Sequence, residues 1–96
     1  MADPLRVSEL RFSEASEADA RTGVIGWVRF TVNDALALDG VVLRRTANGR
    51  TTLSFPTRRD GRGIRRFFVR PITDEARRQL EDEIFKRLHL ERESAP

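Results

Sequence analysis

The sequence predicts an α+β domain, an antiparallel sheet of about five strands followed by one long C-terminal amphipathic helix. Three observations predict it. Short stretches of alternating apolar and polar residues, separated by turn residues, fill the chain as far as Arg70. After Pro71-Ile72 the period lengthens to that of a helix, with Ala76, Leu80, Ile84 and Leu88 on one stripe. No helical pattern lies between the strands, so the crossovers of a parallel sheet are missing. At 96 residues a single domain is expected. Its core should span about residues 5–90, with 1–4 and 93–96 frayed.

Leu5 to Phe12 reads as the first strand. Leu5 and Val7 share one parity, Leu10 and Phe12 the other, and the change implies a bulge or twist. Ser13 to Gly23 is acidic and aperiodic, and is expected to be a loop. Val24 to Val32 is the clearest strand, with Val28, Phe30 and Val32 on one face and Trp27, Arg29 and Thr31 on the other. Asn33-Asp34 supplies turn chemistry, because both side chains bond locally and tolerate a left-handed backbone. Ala35 to Arg45 is a third strand, broken near Asp39-Gly40.

Asn48-Gly49 predicts a type I′ hairpin turn. Thr51 to Phe55 alternates, with Leu53 and Phe55 inward, and Pro56 ends it because proline has no ladder donor. Thr57 to Gly63 reads as a basic loop punctuated by glycine, and Ile64 to Arg70 as the last strand. In that strand Phe67 and Val69 share one face, and Arg66, Phe68 and Arg70 the other. Thr73 is the expected N-cap of the helix. Asp74 and Glu75 in its first turn, and Lys86, Arg87 and Arg92 near its end, suit the helix dipole.

The composition removes several kinds of chemistry. There is no cysteine and one histidine, His89, so disulfides, thiolate sites and an ordinary zinc site lack their residues. No nucleophile has a base to activate it. Arg59-Asp60-Gly61-Arg62-Gly63 carries two glycines, but no strand-to-helix context makes it a phosphate loop. Glu81, Asp82 and Glu83 are consecutive on a helix and point in different directions, so they read as a solvated face. His89 reads as a surface residue at the helix end. No enzyme activity, cofactor or metal is expected. No apolar run approaches the ~20 residues of a membrane helix, and no signal peptide opens the chain, which points to a cytoplasmic protein.

Charge is what remains. Residues 44–70 hold nine arginines against one acid, Asp60, a local charge of +8 in a chain of net charge +3. Arginine supplies 17 of the 18 basic residues, so the signal is the clustering and not the residue type. Such asymmetry suggests an anionic partner. The candidate contacts are Arg58, Arg59, Arg62, Arg65, Arg66 and Arg70, because guanidinium groups match phosphate geometry. Phe68 stands among them, either as a stacking surface for bases or as an apolar contact covered by a partner subunit.

Three stretches carry a resemblance. Val7 to Phe12 resembles the opening strand of the SpoVG family, the bacterial septation regulators of stage V sporulation. Phe55-Pro56-Thr57-Arg58-Arg59 is similar to that family's hydrophobic-proline-Ser/Thr-basic-basic motif. Pro71-Ile72-Thr73, with Arg77, Leu80, Ile84 and Phe85, is similar to the start of its C-terminal helix. The similarity spans about residues 5–90. It departs at the acidic loop 13–23, which is longer, at the third strand, and at the hairpin Thr46-Ala47-Asn48-Gly49, which lacks the family's glycine-rich composition. The resemblance implies a homodimeric regulator that binds DNA and, in some members, RNA. It places a binding role on Arg58 and Arg59, and implicates the helix end near Lys86 and Arg87. The alternative is a protein-interaction module whose arginine-rich face docks an acidic protein.

Overall fold

A computed structural model describes residues 4–90. Its elements are β1 (Val7–Glu14), α1 (Glu17–Ala20), β2 (Val24–Val32), β3 (Leu36–Arg45), β4 (Thr51–Ser54), β5 (Thr57–Arg59), β6 (Arg65–Phe67) and α2 (Asp74–Leu88). Strands β1 to β4 form one antiparallel sheet in sequence order, and β5 and β6 form a separate two-stranded ribbon. The expected α+β class holds. The additional strand, β5 at Thr57–Arg59, falls in the stretch expected to be a loop. The expected acidic loop is also more structured. Ser13 and Glu14 extend β1, and Ser16 caps the one-turn helix α1 by accepting from Asp19 N–H.

The sheet is built around β2, whose even-numbered residues from Val24 to Phe30 are buried without a break. A bulge in each neighbour keeps its apolar residues on that side, and a further irregularity falls in β2 itself, between Val24 and Gly26. In β1, Ser8 pairs with Thr31 and Arg11 with Arg29, so Glu9 and Leu10 together oppose Phe30. Glu9 takes a left-handed φ of 50° to make the bulge. In β3, Val41 pairs with Val28 and Leu38 with Phe30, so Asp39 and Gly40 together oppose Arg29. This is the break expected near Asp39-Gly40, and it lets Leu38 and Val41 both face the core despite their odd spacing. Phe12, opposite Val28, leans over Gly26. A Cβ there would meet Ser13 O at 2.3 Å and the Phe12 ring at 2.6 Å, so the strand needs a glycine at that point.

The turns correct one expectation. The type I′ turn is at Asn33-Asp34, with φ of 51° and 52°, closed by Ala35 N–H donating to Val32 O at 3.0 Å. At Asn48-Gly49 only Gly49 has positive φ, 83°. Gly49 N–H donates to Thr46 O at 2.9 Å and Thr46 N–H to Arg50 O at 2.8 Å, giving a three-residue loop in which glycine takes the bulge position. Pairing of Arg45 with Thr51 leaves five residues between the strand ends, too many for a two-residue I′ loop.

Helix α2 starts as expected, with Ala76 N–H donating to Thr73 Oγ1 at 3.0 Å. Leu80, Ile84 and Phe85 are buried in one core with Val7, Val28, Phe30, Leu38, Val41, Leu43, Leu53 and Phe55. The helix ends in a Schellman motif. His89 is left-handed, its N–H donates to Lys86 O, and Leu90 N–H donates to Phe85 O at 2.8 Å.

Glu81 overturns the solvated-face reading for one of the three acids, being 5 % exposed. It and Arg77 meet the free edge of β4. Arg77 Nη1 donates to Leu53 O at 3.0 Å, Leu53 N–H makes a long 3.5 Å bond to Glu81 Oε2, and the two side chains lie 3.8 Å apart. A charged pair on the helix thus takes the place of a neighbouring strand at that residue.

Candidate nucleic-acid interface

Pro56 ends β4 and the chain turns at once into β5. The ribbon pairs Thr57 with Phe67, Arg58 with Arg66 and Arg59 with Arg65, and Phe68 N–H adds a bond to Pro56 O at 3.1 Å. Arg58 and Arg59 therefore lie on a strand and not in the loop expected for them. The alternation of that strand separates them. Arg58 faces with Arg66, while Arg59 faces with Arg65, Thr57 and Phe67.

The turn at the ribbon's tip repeats the other three-residue hairpin. Gly63, with φ of 79°, takes the position of Gly49, and Asp60 that of Thr46. Gly63 N–H donates to Asp60 O and Asp60 N–H to Ile64 O, each at 2.9 Å. The Asp60 carboxylate adds three acceptor bonds: to Arg62 N–H at 2.8 Å, to Ile64 N–H at 3.0 Å and to Arg66 Nε at 3.2 Å. The Ile64 and Arg62 amides, and more weakly the Arg66 guanidinium, hold its carboxyl below the usual carboxylate range, partly opposed by desolvation.

The arginines are held in different ways. Arg59 Nη1 donates to Gly63 O at 2.9 Å, and Arg66 is the one paired with Asp60. The Arg58 guanidinium lies 5.4 Å from the Phe68 ring centre, and that of Arg70 lies 5.6 Å from Phe67. Arg70 thus sides with Phe67 and not with Phe68, because β6 ends at Phe67 and the chain bends before Arg70. Both rings stay open, Phe67 at 52 % and Phe68 at 63 % exposed. Within the described residues, neither Arg62 nor Arg65 makes a side-chain hydrogen bond or ion pair with another described residue.

The structure therefore brings Arg58, Arg59, Arg62, Arg65 and Arg66 together on the two faces and tip of one exposed ribbon, with Arg70 beside it over Phe67. Lys86 and Arg87 are not part of it. They lie in the last turn of a 15-residue helix whose first turn follows the ribbon, roughly 20 Å away along the axis, and Arg87 is paired with Glu83 at 3.6 Å. Phe67, expected on the strand face opposite Arg66, Phe68 and Arg70, is half-exposed beside the arginines. Its pairing with Thr57, which sequence alternation alone does not show, is what places it there. Among the described residues there is no cluster of metal-ligating side chains and no helix long and apolar enough to cross a membrane. No protein-family model matches the sequence, and no curated protein matches it.

Proposed function

We propose that the chain is a nucleic-acid-binding regulator of the SpoVG type that acts as a homodimer on DNA or RNA. One observation carries the reading. The ribbon sets Arg58 directly across from Arg66 and Arg59 directly across from Arg65, two like-charge pairs on a two-stranded hairpin of three residue pairs. Like charges directly opposite destabilise a ladder, and an isolated hairpin is already marginal. Asp60 neutralises one of these cations. A polyanion laid along the ribbon would neutralise the rest, and phosphates accept the paired N–H donors that guanidinium presents. Among the described residues the ribbon has one carboxylate, so its field is uniformly attractive to such a partner.

The test is the double variant Arg58→Ala/Arg59→Ala, titrated with random-sequence duplex DNA and with RNA at two salt concentrations. A dimer losing about four phosphate contacts should lower its log–log salt slope on duplex DNA by roughly 3–4 units. Both residues are exposed and outside the core, so stability should stay within about 0.5 kcal/mol. A folded double variant with unchanged affinity and slope would remove the ribbon as the contact surface. Wild-type protein that ignores both nucleic acids at low salt but binds an acidic protein tightly would favour an interaction module instead.

A further inference from the structure

Between the ribbon and β4 lies a cleft of about 660 Å³. Arg65 and Phe67 line it from the ribbon, Arg44, Thr52 and Ser54 from the sheet, and Arg77 from the helix. Its volume is in the range of small-ligand sites. No carboxylate is among the residues that line it. Two of its cations are fixed in place by backbone carbonyls: Arg44 donates to Thr22 O at 3.1 Å and Arg77 to Leu53 O at 3.0 Å. A guanidinium has five N–H donors, so each bond leaves donors over. Arg65 has no hydrogen-bond or ion-pair partner among the described residues. Phe67, half exposed, presents its ring to the cleft with the Arg70 guanidinium stacked 5.6 Å from its centre.

We propose that this cleft takes one unpaired nucleotide of a single strand, its base stacked on Phe67 and its phosphate held by Arg65 and Arg44. The proposal rests on the nucleic-acid reading above and narrows it. In a duplex the base faces are covered by their neighbours, so an exposed ring walled by cations suits a strand whose bases are free to splay out. The Thr52 and Ser54 hydroxyls would meet the base edge or the sugar.

The experiment uses the full chain and two 12-nucleotide probes, oligo-dT and a blunt duplex, followed by fluorescence anisotropy at low salt. Phe67→Leu should weaken oligo-dT binding roughly ten- to a hundredfold and leave duplex binding within about twofold, since a phosphate-only contact does not use the ring. Phe67→Trp should restore or tighten it. Irradiation of a 5-iodouracil probe should give a crosslink that maps to Phe67. Should Phe67→Leu melt early, Arg65→Ala serves instead, and is expected to cut the single-strand salt slope by about 0.7. Wild-type affinity in both variants, or crosslinks confined to residues outside the cleft, would overturn the cleft while leaving the ribbon arginines as a phosphate contact. Wild-type protein that binds neither probe would take down the nucleic-acid reading, and this proposal with it.

Discussion

Asp60 is the residue on which the ribbon turns. Its carboxylate accepts from two backbone amides and one guanidinium, all of which favour the ionised form. A carboxylate whose folded pKa is depressed contributes stability that is present above its unfolded value and lost as pH falls through the folded one. The ordinary aspartate value is about 3.9, so the ribbon tip should hold at neutral pH and loosen only in acid below that value. Amide shifts and exchange of Arg62 and Ile64, followed by NMR against pH, should titrate together with a midpoint below about 3.9. The core amides of Phe30 and Val41 should not follow them, and Asp60→Asn should abolish the step. A midpoint at or above the ordinary value would mean that these hydrogen bonds do not form in solution. Thr46 does the same work in the other hairpin with a hydroxyl, accepting Arg50 N–H at 3.1 Å. Both turns therefore share one frame, a side-chain acceptor first and a left-handed glycine fourth. That frame is present in the sequence, but the Asn48-Gly49 pair gives a stronger and misleading local signal.

At the scale of elements, α2 supplies the lid of the core. Leu80 and Ile84 are buried in one cluster with residues of β1, β2, β3 and β4, and Leu5 N–H bonds Gln79 Oε1 at 3.0 Å to tie residue 5 to the same helix. Leu80→Ala should cost about 2–5 kcal/mol, a large part of a small domain's stability. Urea unfolding is the measurement, and a loss below about 1 kcal/mol would place Leu80 outside the core. This helix was legible because its evidence is local: a cap at Thr73, a four-residue stripe and a dipole-compatible charge order. The burial of Glu81 was not legible, because it depends on the edge of β4 passing beside the helix. Strand β5 was hidden for a related reason. Thr57-Arg58-Arg59 has no apolar alternation, and it is extended because β6 pairs with it, not because a core demands it. The arginine cluster was legible as a run of charge. Its division between two faces, and the siding of Arg70 with Phe67, needed the ribbon's register and its end.

The whole molecule is a two-layer object, 22 Å through its thinnest axis against 39 and 38 Å across, about the depth of one sheet and one helix. A chain this short buries roughly 65 % of the surface its unfolded form exposes. The sheet face opposite α2 carries Trp27 and Val42, both half-buried, with Trp27 paired to Val42 and Ser13. The two sheet edges are less inviting than an open sheet would suggest. The Arg77–Glu81 pair occupies β4 at Leu53, and the Glu9 bulge interrupts β1. The proposed homodimer therefore has two surfaces to use, the uncovered face or the remaining length of the β1 edge. Light scattering at tens of micromolar should give about twice 11.0 kDa. Trp27 is the chain's single tryptophan, so its emission reports which surface is used. A red shift on dilution into the monomer range would put the interface over Trp27, and halving of the mass without a shift would put it at β1. A monomer mass at the starting concentration would rule out the dimer, and the drop in salt slope expected of the double arginine variant would be half as large, because each bound molecule would then present one ribbon instead of two.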